Sequence, residues 1–148
     1  MYTRILVPLD GSALSEAILP HAQSLCRAAT AELVLLHVMV DTAPEFGAPA
    51  APALAPPAIL KEKQAEMTAY LKSTCSKLEK SGSCVTYLLR SGGVAETILE
   101  VARFMKADMI AMSTHGRTGM LRLLLGSVAE HVVHDSPIPV VLLRPSES

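Results

Sequence analysis

Asp108-Met-Ile-Ala-Met112-Ser113-Thr-His115-Gly116-Arg-Thr-Gly-Met-Leu-Arg-Leu-Leu-Leu-Gly126-Ser127-Val128-Ala-Glu130 joins a short apolar run to a helical pattern through small residues. The run 108–112 has the character of a strand covered on both faces. Beyond Gly126, Ser127 and Glu130 have the Ser-x-x-Glu spacing of a capping box, followed by apolar Val132 and Val133. The amides of such a helix start carry partial positive charge, so an anionic group there gains about 0.3–1 kcal/mol from the helix dipole. Gly116 and Gly126 present backbone without side chains. The segment reads either as a phosphate cradle or as two ordinary turns with a capped helix.

The flanking sequence repeats the same strand-then-helix unit. Toward the amino terminus, Thr3-Arg-Ile-Leu-Val-Pro8 is an aliphatic strand, and Leu14, Ile18, His21, Leu25 and Ala29 follow at helical spacing, with Pro20 as a local conflict inside that helix. Glu32-Leu-Val-Leu-Leu-His-Val38 is apolar on both faces and belongs at the centre of a parallel sheet. Residues 41–57 turn to alanine and proline, excluding both helix and central strand, and form either a mobile excursion or a structured lid. Leu60, Gln64, Met67, Leu71, Thr74 and Leu78 then share one helical stripe facing the sheet.

Gly82 closes that helix, and Ser83-Cys-Val-Thr-Tyr-Leu-Leu-Arg90 is a third strand. After Gly92-Gly93, the positions Ile98, Val101, Ala102 and Met105 mark a helix before the strand at 108–112, and Ile138-Pro-Val-Val-Leu-Leu143 is the last strand. This order predicts a single α/β domain over residues 1–148, with a five-stranded parallel sheet and helices on both faces. Ligands of such sheets bind outside the carboxyl ends of the strands, where the strand order reverses. If the first strand and the strand at 108–112 are neighbours there, Asp10 and the 113–127 segment face one crevice.

Composition narrows the chemistry. The chain has 148 residues, half of them apolar but 3% aromatic, so its core is aliphatic. A net charge of −1 offers no basic field for nucleic acid or an anionic membrane. With no long apolar span and no signal-peptide pattern, a soluble cytoplasmic protein is expected. Cys26, Cys75 and Cys84 lack C-x-x-C spacing and read as reduced thiols. Asp10, at the exit of strand one, suits ribose hydroxyls or a magnesium ion beside phosphates, or else an Asx turn with Gly11 and Ser12. Val38 and Met39 offer backbone groups to an adenine edge or simply pack in the core. His115 and Arg117 are placed to neutralise phosphate, whereas His21, His131 and His134 have no evident partners.

The chain resembles the universal stress protein family. Nucleotide-binding members carry Gly, two residues, Gly, nine residues, then Gly and Ser or Thr; the matching positions are Ser113, Gly116, Gly126 and Ser127. Ile5-Leu-Val-Pro-Leu-Asp-Gly-Ser12, Leu35-Leu-His-Val38, Val94-Ala-Glu-Thr-Ile98 and Pro139-Val-Val-Leu-Leu-Arg144 are also similar to that family. The resemblance implies a Rossmann-like fold of the adenine nucleotide α-hydrolase type that binds ATP. Asp10 and Ser113 would lie near ribose and Val38 near adenine, with Pro8 also among the binding residues. Met112 and His115 match neighbouring contact positions, and Gly116, Gly126, Ser127 and Val128 would surround the phosphates. Ser113 departs from the family's glycine, adding a Cβ and a hydroxyl at a position that would need to tolerate positive φ.

A binding and signalling module demands no chemistry. A weak ATP hydrolase is the enzymatic alternative, although Ser91-Gly92-Gly93 continues as Val94-Ala95-Glu96 and lacks the Asp-Ser of a pyrophosphatase loop, and no activated nucleophile is evident. A structural dimer without nucleotide is the third reading. The resemblance implies homodimers through the last strand, 138–143, an aliphatic edge on which Val141→Pro is expected to remove a ladder donor.

Overall fold

The computed structural model describes residues 1–40, 56–114 and 125–146. Its elements are β1 (Arg4–Pro8), α1 (Ala13–Glu16), α2 (Leu19–Ala29), β2 (Glu32–Met39), α3 (Pro57–Lys80), β3 (Val85–Ser91), α4 (Val94–Phe104), β4 (Met109–Ser113), α5 (Ser127–Asp135) and β5 (Val140–Leu143). All pairings are parallel, in the order β3-β2-β1-β4-β5, so β1 and β4 are the neighbours at which the order reverses.

Side chains alternate across the pleat and build two aliphatic layers. Ile5, Val7, Leu33 and Leu35 pack with Ile18, Ala22 and Leu71 on one face. Leu6, Val34, Leu36 and Ile110 pack with Ile98, Ala102 and Val132 on the other. The central strands are therefore continuous apolar runs, because both of their faces are covered. Among the described residues, no helix is long and apolar enough to cross a membrane. Cys26 and Cys75 are buried free thiols, each pushed up to about 11 by burial, and Cys84 is an exposed free thiol.

Several local expectations are corrected. The helix from Leu14 to Ala29 is two helices, and Pro20 occupies the first turn of α2, where no helical N–H is required, so the proline conflict disappears. The buried stripe of α2 is Leu19, Ala22 and Cys26, while His21 is exposed. Pro57 is the first residue of α3 rather than part of the preceding excursion; the rest of that excursion, 41–55, lies outside the described residues. The α3 stripe holds at Leu71, Thr74 and Leu78, but Gln64 is exposed because the helix there has passed beyond the sheet. Strand β3 begins at Val85, not Ser83, and β5 begins at Val140, beyond Pro139.

The register of β5 also corrects the choice of edge donor. Ile110 N–H donates to the Pro139 carbonyl at 3.0 Å and Thr114 N–H to the Leu143 carbonyl at 2.8 Å. Backbone groups alternate sides along a strand, so those of Val141 also face β4, and those of Val140 and Leu142 face outward. Val141→Pro would cut the internal ladder rather than the exposed edge.

Asp108 fastens the start of β1 to β4. Its carboxylate accepts the Thr3 amide at 2.6 Å, the Thr3 hydroxyl at 2.8 Å and the Arg4 amide at 2.9 Å. The Thr3 amide foremost, then the Thr3 hydroxyl and the Arg4 amide, hold the carboxyl below its usual 3.8. A carboxyl lowered in the folded state stabilises fully above its unfolded pKa, and that stability is lost as pH falls through the folded value. The urea midpoint of the wild type should therefore exceed that of Asp108→Asn at neutral pH, with the gap closing only below about pH 4. A gap independent of pH would contradict this account of Asp108.

Candidate functional site

The crossovers after β1 and β4 leave to opposite faces: α2 lies over the Leu33 and Leu35 layer, α5 over the Leu36 and Ile110 layer. Their divergence opens a cavity of about 550 Å³ at the carboxyl ends of the strands. Pro8, Asp10, Val38, Met112, Ser113, Gly126, Ser127 and Val128 all line it. His115 and Gly116, with Arg117, lie outside the described residues.

One wall is a polar knot after β1. Asp10 Oδ1 accepts the Ser12 amide at 2.8 Å, which is the Asx turn, and Gly11 adopts φ 89° to complete it. Ser12 caps α1, its Oγ accepting the Ser15 amide at 3.1 Å, while the Asp10 amide donates to Ser15 Oγ at 3.3 Å. The turn and the cavity position of Asp10 thus coexist. His37 joins the knot from β2. It is buried, and its Nδ1 lies 2.8 Å from the Leu9 carbonyl. A carbonyl only accepts, so Nδ1 carries the proton. Sequence reasoning gave His37 no role, since within an apolar strand a histidine is indistinguishable from a packing residue.

Val38 forms the inner end. Leu36 carbonyl accepts the Leu9 amide at 2.8 Å, on the β1 side, and the Met39 carbonyl accepts the Gly92 amide at 3.0 Å, on the β3 side. By alternation the backbone groups of Val38 point to the β1 side, where β1 has already ended at Pro8. The Val38 edge therefore faces the cavity, whereas the Met39 carbonyl, also expected to serve an adenine edge, is engaged within the sheet.

Ser113 and Thr114 end β4. Ser113 lies within the strand, and the non-glycine residues of positive φ among the described residues are Thr30 and Lys106. The conflict expected at Ser113 does not arise: its hydroxyl donates to the Ser15 carbonyl at 3.3 Å and ties β4 to α1. Thr114, which sequence reasoning left unassigned, is buried and lines the cavity, and its carbonyl accepts the Gly126 amide at 2.9 Å. The two stems of the 115–125 segment therefore meet at one hydrogen bond.

The expected capping box is not formed. Gly126, rather than Ser127, is the N-cap, and no side-chain cap bond is made at it among the described residues. The first rung of the helix is the Glu130 amide to the Gly126 carbonyl at 2.9 Å, so the amides of Ser127, Val128 and Ala129 precede the ladder at the cavity wall. The absence of a cap leaves this helix start suited to an anion. The need for glycine at 126 comes from the protein itself: a Cβ there would stand 2.6 Å from the Thr114 carbonyl.

The outer wall was not foreseen. Leu60, Lys63 and Met67 of α3 reach the cavity, opposite Val94, Ile98 and Met112. Apolar flanks, a polar floor and a helix start form a slot for a flat apolar group bearing an anion. The acidic lining residue among those described is Asp10, and no cluster of three or more metal-ligating side chains occurs among the described residues. A magnesium ion here would depend on oxygens brought by a ligand.

The family model described as "Universal stress protein family" matches residues 1–144. A universal stress protein of Methanocaldococcus jannaschii is 35% identical over 145 residues, covering 97% of this chain and 83% of that protein. The solved structure of universal stress protein UspA from Lactobacillus plantarum superposes with a TM-score of 0.81 at 26% identity, covering 97% of this chain and 98% of that one. A universal stress protein from Archaeoglobus fulgidus, solved in complex with dAMP, shares the fold at a TM-score of 0.71 and 19% identity, covering 97% and 98% of the two chains.

Replacing Gly126 by alanine forces the Thr114 carbonyl aside and weakens the bond that joins the stems. The substitution should cost about 1–3 kcal/mol in urea unfolding. An unchanged midpoint would show that the close approach at 126 does not constrain the fold.

Proposed function

The chain belongs to the universal stress protein family, and from that premise we propose that it is a soluble, cytoplasmic adenine-nucleotide-binding module whose physiological ligand is ATP. The observation that carries this reading is the opposition, across one cavity, of the uncapped α5 amino terminus and the Asp10 knot, with the Val38 edge between them. Adenine enters the apolar end and meets the Val38 backbone groups. The ribose lies against Pro8, Asp10 and Ser113, and the phosphates reach Gly126, Ser127 and Val128, where backbone amides and the helix dipole favour negative charge. The motif positions His115 and Gly116 belong to the same ligand, as does magnesium, carried by the phosphates beside Asp10. That some proteins of this fold bind adenine nucleotides agrees with the reading.

Binding itself is the output. Occupancy joins walls on opposite faces of the sheet and stabilises the folded state, and a stress-response partner reads the altered surface. With Mg-ATP at 100 times its dissociation constant the gain is about 2.7 kcal/mol, or roughly 5–10 °C in melting temperature for a chain of this length. Asp10→Ala should reduce the ATP-dependent rise. No rise in the wild type overturns the proposal and leaves a structural dimer, while a rise accompanied by ADP release makes the protein a slow hydrolase.

The same module is proposed to be a homodimer formed by antiparallel contact of β5 with its copy. This strand ends the sheet order, its residues are half-buried, and the backbone groups of Val140 and Leu142 face outward. Light scattering should give twice the 15.7 kDa chain mass. Leu142→Pro, which removes an outward donor, should give a monomer that still melts higher with Mg-ATP; a monomeric wild type overturns the dimer.

A further inference from the structure

The long helix α3 does two jobs along its length. From Tyr70 onward it packs on the sheet through Leu71, Thr74, Cys75 and Leu78. Ahead of Tyr70 it overhangs the carboxyl end of the sheet, and residues 61–66, Lys63 included, are exposed. Leu60, Lys63 and Met67 follow one another at spacings of three and four, so they share a single stripe, and that stripe lines the cavity. The overhang is an extension of an anchored rod: Tyr70 donates its hydroxyl to Glu16 Oε1 at 2.8 Å, tying α3 to α1. Lys63 lies two turns ahead of that tie, about 10 Å along the helix axis.

The lining residues that carry a formal charge, among those described, are Asp10 and Lys63. Lys63 is itself exposed, and its flexible four-carbon stem allows the ammonium to reach a ligand in the open cavity. Such an ammonium is a point charge well suited to phosphate oxygens. We propose that α3 supplies a third wall of the nucleotide site, in which Lys63 pairs with the phosphate charge of the ligand and makes the cavity select adenine nucleotides over adenosine. This inference rests on the nucleotide-binding reading above. It adds a binding residue from an element outside the two loops at the strand-order reversal.

The test is calorimetric titration of full-length wild type, Lys63→Gln, Lys63→Arg and Lys61→Gln with ATP, adenosine and sodium tripolyphosphate. Lys61 is exposed and lies off the cavity stripe. Lys63→Gln should weaken ATP and tripolyphosphate on the order of tenfold and leave adenosine unchanged. Lys63→Arg should retain most of the ATP affinity, and Lys61→Gln all of it. Added salt should shrink the difference between wild type and Lys63→Gln. If wild type binds ATP and Lys63→Gln binds it equally, or if Lys63→Gln loses adenosine in the same proportion, the charge-selecting role is overturned while the nucleotide site stands. If wild type binds tripolyphosphate but neither ATP nor adenosine, and Lys63→Gln loses that anion, the anion contact stands and the adenine reading falls. A wild type that binds none of the three overturns both.

Discussion

The site depends on a geometric constraint between two hydrogen-bonded neighbours. β1 and β4 run parallel at the centre of the sheet, but the chain leaving β1 turns to one face and the chain leaving β4 turns to the other. At this junction both crossovers depart, and the described strand ends line a cavity between them. Concavity is thus a property of topology. The residues then determine what occupies it, with apolar flanks from the Leu36 and Ile110 layer and polar groups from the two departing turns.

Much of this was legible because the strongest signals are periodic. The continuous apolar runs at 32–38 and 108–112 identify strands covered on both faces, and the strand-helix alternation then allows few topologies. Asp10 and the 113–127 segment were brought to one crevice by the same strand-end rule, whereas Pro8, Met112 and the individual positions 126–128 came from the family resemblance; Pro8, Asp10, Met112, Ser113 and residues 126–128 all line the cavity. Caps were less legible. Ser127 with Glu130 has the pattern of a capping box, yet the close Thr114–Gly126 pairing moves the helix start back, so that Gly126 becomes the N-cap. Tertiary contact overrode a local preference worth about 1 kcal/mol. The left-handed residue ending α2 was hidden for a similar reason, because Thr30 adopts it where glycine would have advertised it.

The α3 wall was illegible for a different physical reason. Periodicity reports that Leu60, Met67 and Leu71 lie on one face of a helix, but it does not report where along that helix the sheet stops. The stripe therefore read as uniform core, and Lys63, charged and within the stripe, read as nothing at all. Only the length of β2 and β3 relative to α3 shows that the stripe changes from packing surface to cavity wall ahead of Tyr70. His37 illustrates the converse. Its burial among aliphatic neighbours makes it part of the core, and the Leu9 carbonyl 2.8 Å away makes it the brace of the Asp10 turn.

That brace bears on how a largely aliphatic protein would hold the proposed nucleotide. In the proposed complex the contact groups would be mostly backbone: the Val38 edge and the first amides of α5. Backbone groups have no rotamers to freeze, so their ordering entropy has been met in folding. The side chains that do take part are tied to the protein beforehand, Asp10 through Ser12 and Ser113 through the Ser15 carbonyl. The turn and the proposed ligand role of Asp10 are consequently compatible, since the bond that closes the Asx turn also fixes the carboxylate at the cavity wall. Ser113 follows the same logic: its hydroxyl is directed to α1, so a serine stands where the family has glycine without breaking the line of the strand.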